Sequence, residues 1–572
     1  MQNYHRHTSY SNIFTPDSAA MNEHYAKRAV ELGHKIICSM EHGWQGNYFE
    51  CYELAKKYNL KFVFGVEGYW VKDRQKEYFN GLNKKGEETY AKDRSNHHIV
   101  LLAKNENGRQ AINEALSEAN ETGYYFRPRL DLELLLNLPP DDVFVTTACI
   151  AFAGYEDIDD IILQLHDHFK SNFMLEIQNH DTDKQREWNK HLKEIGEKHG
   201  IELIVGLDSH YIYEDDDWKR DAILQAKGVI YEDEIGWFMS YPSDEVVMER
   251  FLKQGIFTRE EVQRAMDNTD ITLTFDDYDN VPIFSKDIKL PTLYPDLTIE
   301  EKNKLYRRLI GKKFVEYMKK IPKEDYDRYY EGVESEIKTY EDTGMVDYPL
   351  LDYEIVKDAV EHGGLITDTG RGSAVGFLTN TLCGFSKVDR FTSAIKLYPE
   401  RFISTTRILE THSLPDIDLN VGTPEIFEEA QVRVLGQEHT YPMIAFGTLK
   451  KKSAFKLYAK AEGIDFSLAN AISEQIGNYD EAMKKADDEE RENIDLFDYV
   501  DREYEEYIEK SKEYWGIISD KKKAPSAYLL YQGNIRREIG LIKCKSESTK
   551  KEYITCVIDG AVAENYKFLK ND

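Results

Sequence analysis

Short apolar runs recur through the first 211 residues, and side chains able to bind a metal sit at their ends. The runs are Ile36–Met40, Lys61–Gly65, Ile99–Ala103, Val143–Thr146 and Leu203–Gly206. Stretches of helical periodicity separate them, such as His24–Leu32 and Gln110–Ala119. Repeated strand–helix units of this kind predict a parallel sheet or barrel. Ligands then collect at the C-terminal ends of the strands.

The positions of the ligand-type residues follow that frame. His5 and His7 open the chain, and Glu41-His42 follows the first run. Glu67 follows the second, His98 precedes the third, Cys149 lies just past the fourth, and Asp208 and His210 follow the last. Neutral imidazole, carboxylate and thiolate are the groups that bind zinc or manganese. Any one of them alone is better read as structural or solvated. Nine at equivalent places in successive units point to a metal site. By contrast, His166, His168, His191 and His199 fall in polar helical stretches and read as solvated.

At 572 residues the chain exceeds what one core supports, so two to four domains are expected. No apolar run is long enough to span a bilayer, and the N-terminus has no apolar signal core. A cytoplasmic protein without a membrane partner is the expectation. Six cysteines without pair spacing argue for reduced thiols. The formal net charge of −30 argues against nonspecific coating of DNA. Charge is nevertheless segregated: 446–460 carries five lysines and no acid, and 481–513 carries 14 acids against 6 bases. Basic groups confined to one channel remain compatible with a nucleic-acid enzyme.

The pattern changes near 280–300, where Pro282, Pro291 and Pro295 break an acidic, aromatic stretch that reads as a linker. Helical segments follow at Glu300–Lys320 and Tyr329–Tyr340. Next comes the turn Thr369-Gly370-Arg371-Gly372-Ser373-Ala374, ahead of the helix-like Val375–Leu378. Glycines let backbone amides approach a phosphate, and a following helix N-terminus attracts anions. Leu414-Pro415-Asp416-Ile417-Asp418-Leu419 then places two carboxylates one residue apart in an apolar run. On a strand both would project from one face. Adjacent anions repel unless protonated or shared by cations, and a pair of divalent metals spanning a phosphate is the commonest use of that geometry. From about 433 to 515 the chain reads as helical and polar, and strand-like runs return after Ser526.

Two resemblances unite these motifs. His5-x-His7, Glu41-His42-Gly43, Gly65-Val66-Glu67, the run from His97 to Asn105, the late Cys149 and Leu207–Tyr211 resemble the polymerase-and-histidinol-phosphatase (PHP) domain. That resemblance covers about the first 270 residues. It implies a distorted βα barrel in which His5, His7, Glu41, His42, Glu67, His98, Cys149, Asp208 and His210 bind two or three metals, zinc or manganese. Glu41 stands where many members have Asp. The order Gly370–Ala374, Tyr398–Phe402 and Leu414–Leu419 resembles the palm of family C DNA polymerases. Asp342–Tyr348 ahead of it and Ile444–Lys452 after it fit the same family.

The resemblance implies an α/β multidomain chain: a PHP barrel over 1–270, a nucleotidyltransferase-like palm over 271–432, a helical thumb over 433–515 and the returning palm over 516–572. It implies template-directed nucleotidyl transfer by two magnesium ions on Asp416 and Asp418. Arg371, Gly372, Ser373 and Arg401 would meet the triphosphate, and Lys450, Lys451 and Lys452 the DNA backbone. A 3′→5′ proofreading exonuclease in the PHP domain is a further implication. Partners would be primer–template DNA and deoxynucleoside triphosphates.

A third palm carboxylate is required, and two registers compete for it. Gly540–Lys545 would put Lys545 in its place. Phe568–Asp572 would supply Asp572 as ligand and Lys570 as a triphosphate contact, and this register has the required signs. Because that strand ends on its own ligand, a split enzyme completed by a second polypeptide is expected. Two alternatives stay open: a stand-alone PHP phosphoesterase with a degenerate polymerase region, and a scaffold whose metals only stabilise the barrel.

Overall fold

The computed structural model describes every residue except 47, 230–235, 370–371, 373–375, 393–403, 412–413, 415–416 and 572. The side chains of residues 407, 411, 488 and 489 are likewise outside the description. The chain is mixed α/β and divides into two compact units. One comprises Met1–Asp279 with Phe446–Lys522, the other Asn280–Ala445 with Lys523–Asp572. Among the described residues no helix is long and apolar enough to cross a membrane.

The first unit is built on β1 (Ile36–Ser39), β2 (Lys61–Val71), β5 (His97–Ala103), β7 (Val143–Thr146), β8 (Phe173–Ile177) and β9 (Leu203–Val205), hydrogen-bonded in that order. A two-residue strand, β6 (Leu130–Asp131), adds to β2, and β3 (Glu77–Leu82) pairs with β4 (Glu88–Lys92) as a separate hairpin. The expected strands form, but the sheet is mixed rather than parallel. β1–β2, β7–β8 and β8–β9 are parallel, whereas β2–β5 and β5–β7 are antiparallel. The connections explain the difference. Parallel neighbours need a crossover, and helices Tyr48–Tyr58, Ile158–Phe169 and Asp183–His199 supply them. Only the exposed hairpin and its flanks separate β2 from β5. Beyond β9 the N-terminal segment joins the sheet, where Arg6 bridges Ser209.

Strands with both faces covered read as unbroken apolar runs, and β1 and β7 are buried at every position. Val63, Val100, Phe144 and Ile204 pack together in one core. In the same unit, helices Lys451–Ala461, Phe466–Lys485 and Glu505–Ser511 share a second core through Phe455, Ala459, Ile472, Ile476 and Ile508.

The second unit holds β10 (Thr440–Thr448) as far as Ala445, β11 (Ile518–Leu530) from Lys523, β12 (Leu541–Lys545), β13 (Glu552–Cys556) and β14 (Leu569–Asn571), in the order β12-β13-β10-β11-β14. Helices Ile299–Met318, Tyr326–Asp342 and Asp347–Glu361 contribute Tyr306, Ile337 and Ile355 to its core. Ile417 and Leu569 lie in that core too. β10 falls inside the stretch that reads as helical in the sequence. Its Thr440-Tyr441-Pro442-Met443-Ile444 half is buried, which suits a strand inside a sheet.

Candidate functional site

The end of the first sheet gathers the metal-binding side chains. Glu67 lies within β2, fully buried, and four imidazoles surround its carboxylate. His5 Nε2 lies 3.2 Å and His98 Nδ1 2.9 Å from Oε1. His7 Nε2 lies 3.3 Å and His42 Nδ1 2.5 Å from Oε2. Asp208 Oδ1 adds contacts of 3.4 Å to His5 and 3.1 Å to His7. The antiparallel course of β5 explains why His98, at the start of its strand, reaches the same place as Glu67. Tyr69, two residues after Glu67, pairs across with His98.

The residues present fit metal ions. Three overlapping groups bring their ligand atoms within 4.8 Å of one another: His7, His42 and His210; His5, His7, Glu67 and Asp208; His42, Glu67 and His98. His7 Nε2, His42 Nδ1, Glu67 Oε2 and Asp208 Oδ1 are buried and, although close to one another, form no well-aligned hydrogen bond. Orphaned donors and acceptors are costly in a folded interior unless something else satisfies them. Here they face one another, as ligands around shared cations do.

Charge at the cluster is balanced internally. Burial alone would raise Glu67, but His98, His42 and His5 hold it well below the ordinary carboxylate range. Burial likewise opposes ionisation of Asp208, yet His5 and His7 keep it ionised. In return, although burial lowers His5, Glu176, Asp208 and Glu67 raise it well above its usual value. His7 moves the other way, lowered by burial and by His42.

Two further carboxylates belong to the site that sequence reading did not assign. Asp17 Oδ2 lies 3.3 Å from both His42 Nε2 and His210 Nε2. Its Oδ1 accepts from Arg220 at 2.6 Å, and burial notwithstanding, Arg220 and His210 keep the carboxyl ionised. Glu176 lies 2.6 Å from His5 Nδ1 and accepts from Tyr4 and Thr146, so it fixes the ring that turns Nε2 inward. A lone acid within the apolar β8 was a readable signal for Glu176. Asp17 lies in an irregular loop and offered none.

Glu41 stands apart from the metal groups. Its carboxylate accepts from the Thr8 amide at 3.1 Å, the Thr8 hydroxyl at 2.5 Å and the Ser11 hydroxyl at 2.6 Å. Cys149 Sγ lies 3.3 Å from His98 Nδ1 and 3.9 Å from Glu67 Oε1, at the margin of the cluster. Ala148 and Asp208 both hold positive φ, at 51° and 46°. Non-glycine residues in the left-handed region are uncommon, and strained backbone concentrates at functional sites. A cavity of about 280 Å³ opens over the cluster, and Arg127, Arg220, Tyr69 and Trp237 help to line it.

In the second unit, Asp416, Arg371, Ser373, Arg401 and Asp572 lie outside the described residues. Asp418 and Gly372 are described, and they meet. A Cβ on Gly372, at φ 60°, would stand 2.4 Å from Asp418 Oδ2. The strands of backbone that carry them run antiparallel, with Ile366 bridging Val421 and the Thr367 amide donating to Asn420. No regular strand forms at Leu414 or Ile417–Asn420; Ile417 is buried and its amide donates to the Tyr348 hydroxyl.

Among the described residues, an α-helix runs over Leu378–Cys383, and its N-cap Phe377 is extended. Its N-terminus is occupied: the amides of Leu378 and Thr379 donate to the buried Glu336 carboxylate at 3.0 and 2.7 Å. The helix start that the sequence places directly after the turn, at 373–375, lies outside the described residues.

Lys570 lies on β14, whose neighbour Leu569 shares the core of Ile417. Lys545 lies on β12, at the opposite edge of that sheet, exposed beside Glu552. Lys450 and Lys452 are exposed, whereas Lys451 pairs with Asp480 at 2.6 Å.

Comparison with known proteins finds two successive matches along the chain. Residues 3–180 match the PHP domain, and residues 303–572 match the bacterial DNA polymerase III alpha NTPase domain. DNA polymerase III subunit alpha of Aquifex aeolicus is 26% identical over 494 residues, 82% of this chain and 40% of its own. That of Borreliella burgdorferi is 27% identical over 497 residues, with the same coverage of 82% and 40%. The chain thus spans about 40% of the length of these curated relatives. A solved amidohydrolase from Chromobacterium violaceum is 15% identical, covering 36% of this chain and 87% of its own at a TM-score of 0.22. The chain thus carries a region that matches the PHP domain ahead of a region that matches the bacterial DNA polymerase III alpha NTPase domain.

Proposed function

We propose that the chain carries the nucleotidyl-transfer and PHP phosphoesterase parts of a DNA-directed DNA polymerase. The observation that carries this reading is the approach of Gly372 to Asp418. It brings the glycine turn against one of the paired acids, in the 303–572 region that matches the polymerase family. A stand-alone phosphoesterase would leave that approach without a role.

In this reading the palm comprises 271–432 and 516–572, the thumb 433–515 and the PHP domain 1–270. Asp416, Asp418 and Asp572 would hold magnesium, which lowers the charge of a triphosphate and polarises the primer 3′-hydroxyl. Gly372, having no side chain, lets the Asp418 carboxylate come up against the backbone of the turn. Arg371, Ser373, Arg401 and Lys570 would contact the triphosphate. The position of β14 beside the core of Ile417 supports the register that uses Lys570 and Asp572. Lys450 and Lys452, both exposed, suit contacts to the DNA backbone, with Lys451 beside them.

In the PHP domain, His5, His7, His42, Glu67, His98, Asp208 and His210, with Asp17, would hold zinc or manganese, with Cys149 at the margin. There the metal supplies an activated water for attack on a phosphodiester, as a 3′→5′ exonuclease requires. Arg127 and Arg220 would face the phosphate. Calorimetric titration with magnesium and a deoxynucleoside triphosphate tests the palm. Binding should weaken at least about tenfold in Asp418→Ala, the loss of one charge-assisted contact. Unchanged affinity in that variant would overturn the polymerase reading.

A further inference from the structure

The segment joining β2 to β5 leaves and re-enters the sheet at the end that bears Glu67, Tyr69 and His98. Whatever is inserted there must emerge at the mouth of the metal cavity. In this chain the insertion is the hairpin β3–β4, which exposes large aromatic side chains. Phe79 is 60%, Tyr90 54% and Tyr78 40% exposed. A cleft of about 490 Å³ lies beside it, lined by Lys72, Tyr78, Phe79, Lys92, Arg94 and Tyr155.

Cations and aromatic faces alternate from this cleft toward the metals. The Lys72 ammonium lies 4.7 Å from the centre of the Tyr155 ring. The Arg94 guanidinium lies 4.7 Å from the Phe126 ring, which is 62% exposed. Arg127 follows Phe126 in sequence, and Asn96 follows Arg94 by two; both line the metal cavity. Two of the nearby acids are engaged, and Glu77 stands opposite Lys92 in the hairpin. Asp93 accepts from the Tyr155 hydroxyl, and Asp157 from Lys72. In a chain of net charge −30, this local run of cations is not a product of general basicity. Flat apolar rings spaced with positive charge suit a ligand with both π faces and phosphates. Stacked bases on a phosphate backbone have that composition, and single-stranded binding grooves combine the same two elements.

We propose that the β3–β4 hairpin and residues 93–96 form a track that binds single-stranded DNA and leads its end to the metal cavity. Binding to the track stands on its own geometry; delivery for hydrolysis rests on the phosphoesterase reading.

Photocrosslinking the full chain to an iodouracil-containing oligonucleotide tests the track, with chelator present so that no hydrolysis occurs. Crosslinked peptides should contain Tyr78, Phe79 or Tyr155. Yield there should fall about tenfold in Tyr78→Ala/Phe79→Ala, whose side chains are exposed, and severalfold in Lys92→Glu at low salt. Crosslinks confined to other regions, or a hairpin that captures only protein, would overturn the proposal. With manganese restored, the double variant should slow nucleotide release from a long oligonucleotide while leaving hydrolysis of bis-p-nitrophenyl phosphate unchanged. If neither substrate is hydrolysed but the hairpin crosslinks persist, the phosphoesterase reading fails and the track stands.

Discussion

Buried carboxylates behave in opposite ways in the two units. Glu67 and Asp208 in the first unit are buried, and both are held ionised. Asp352, on the helix Asp347–Glu361 of the second unit, is equally buried, and burial raises it to about 7. Its Oδ1 accepts from the Asn571 amide at 3.1 Å, and its Oδ2 has no hydrogen-bond partner. Desolvation penalises the charged form in every case. The outcome is decided by what faces the carboxylate: imidazoles in one unit, a neutral amide in the other. Glu67 and Asp208 therefore hold charge that a cation can share, while Asp352 holds a proton that is part of the packing.

Breaking the first half of that comparison should have the largest effect. Glu67→Gln removes the charge that four histidines face. Removing one partner of a buried ionic cluster typically costs about 3–5 kcal/mol. Thermal unfolding should show that loss, and elemental analysis should show depleted metal. A variant that keeps its metal would mean that Glu67 is not the hub.

The second half is broken by pH. A carboxyl raised in the folded state keeps its proton when folded and sheds it when unfolded. Its stabilisation is complete below its ordinary value of 3.8 and is lost as pH climbs through about 7. Between pH 5 and 8 the second unit should lose about 2–3 kcal/mol from this group alone. Asp352→Asn should flatten that slope in denaturant titrations run at several pH values. An unchanged slope would place the proton elsewhere.

The smallest effect sharpens the comparison within the first unit. Glu41→Gln weakens acceptance from Thr8 and Ser11 and should cost about 1–2 kcal/mol. Metal stoichiometry should not change, because those hydroxyls, not a cation, hold Glu41. Loss of metal would return Glu41 to the ligand set.

These contrasts also show what the sequence could reveal. Ligands at strand ends were legible because an apolar run marks its own boundary: His42, Glu67, His98 and Asp208 all converge. Identity at a motif position does not report direction, so Glu41 has the right chemistry beside the centre and is engaged by hydroxyls instead. Asp17 was hidden because it reaches the site from an irregular loop, where Arg220, distant in sequence, holds its carboxylate. The direction of β5 was also illegible, since a hairpin connection and a crossover differ in spatial path rather than in the strand's own residues. In the second unit, β10 was masked by polar helical sequence after it, although its buried half carries strand-forming residues.

Glu336 closes on a different consequence. By seating its carboxylate on the amides of Leu378 and Thr379, it caps one helix with a side chain from another, Tyr326–Asp342, so the amides left open at a helix start are satisfied inside the fold and the two helices are tied together.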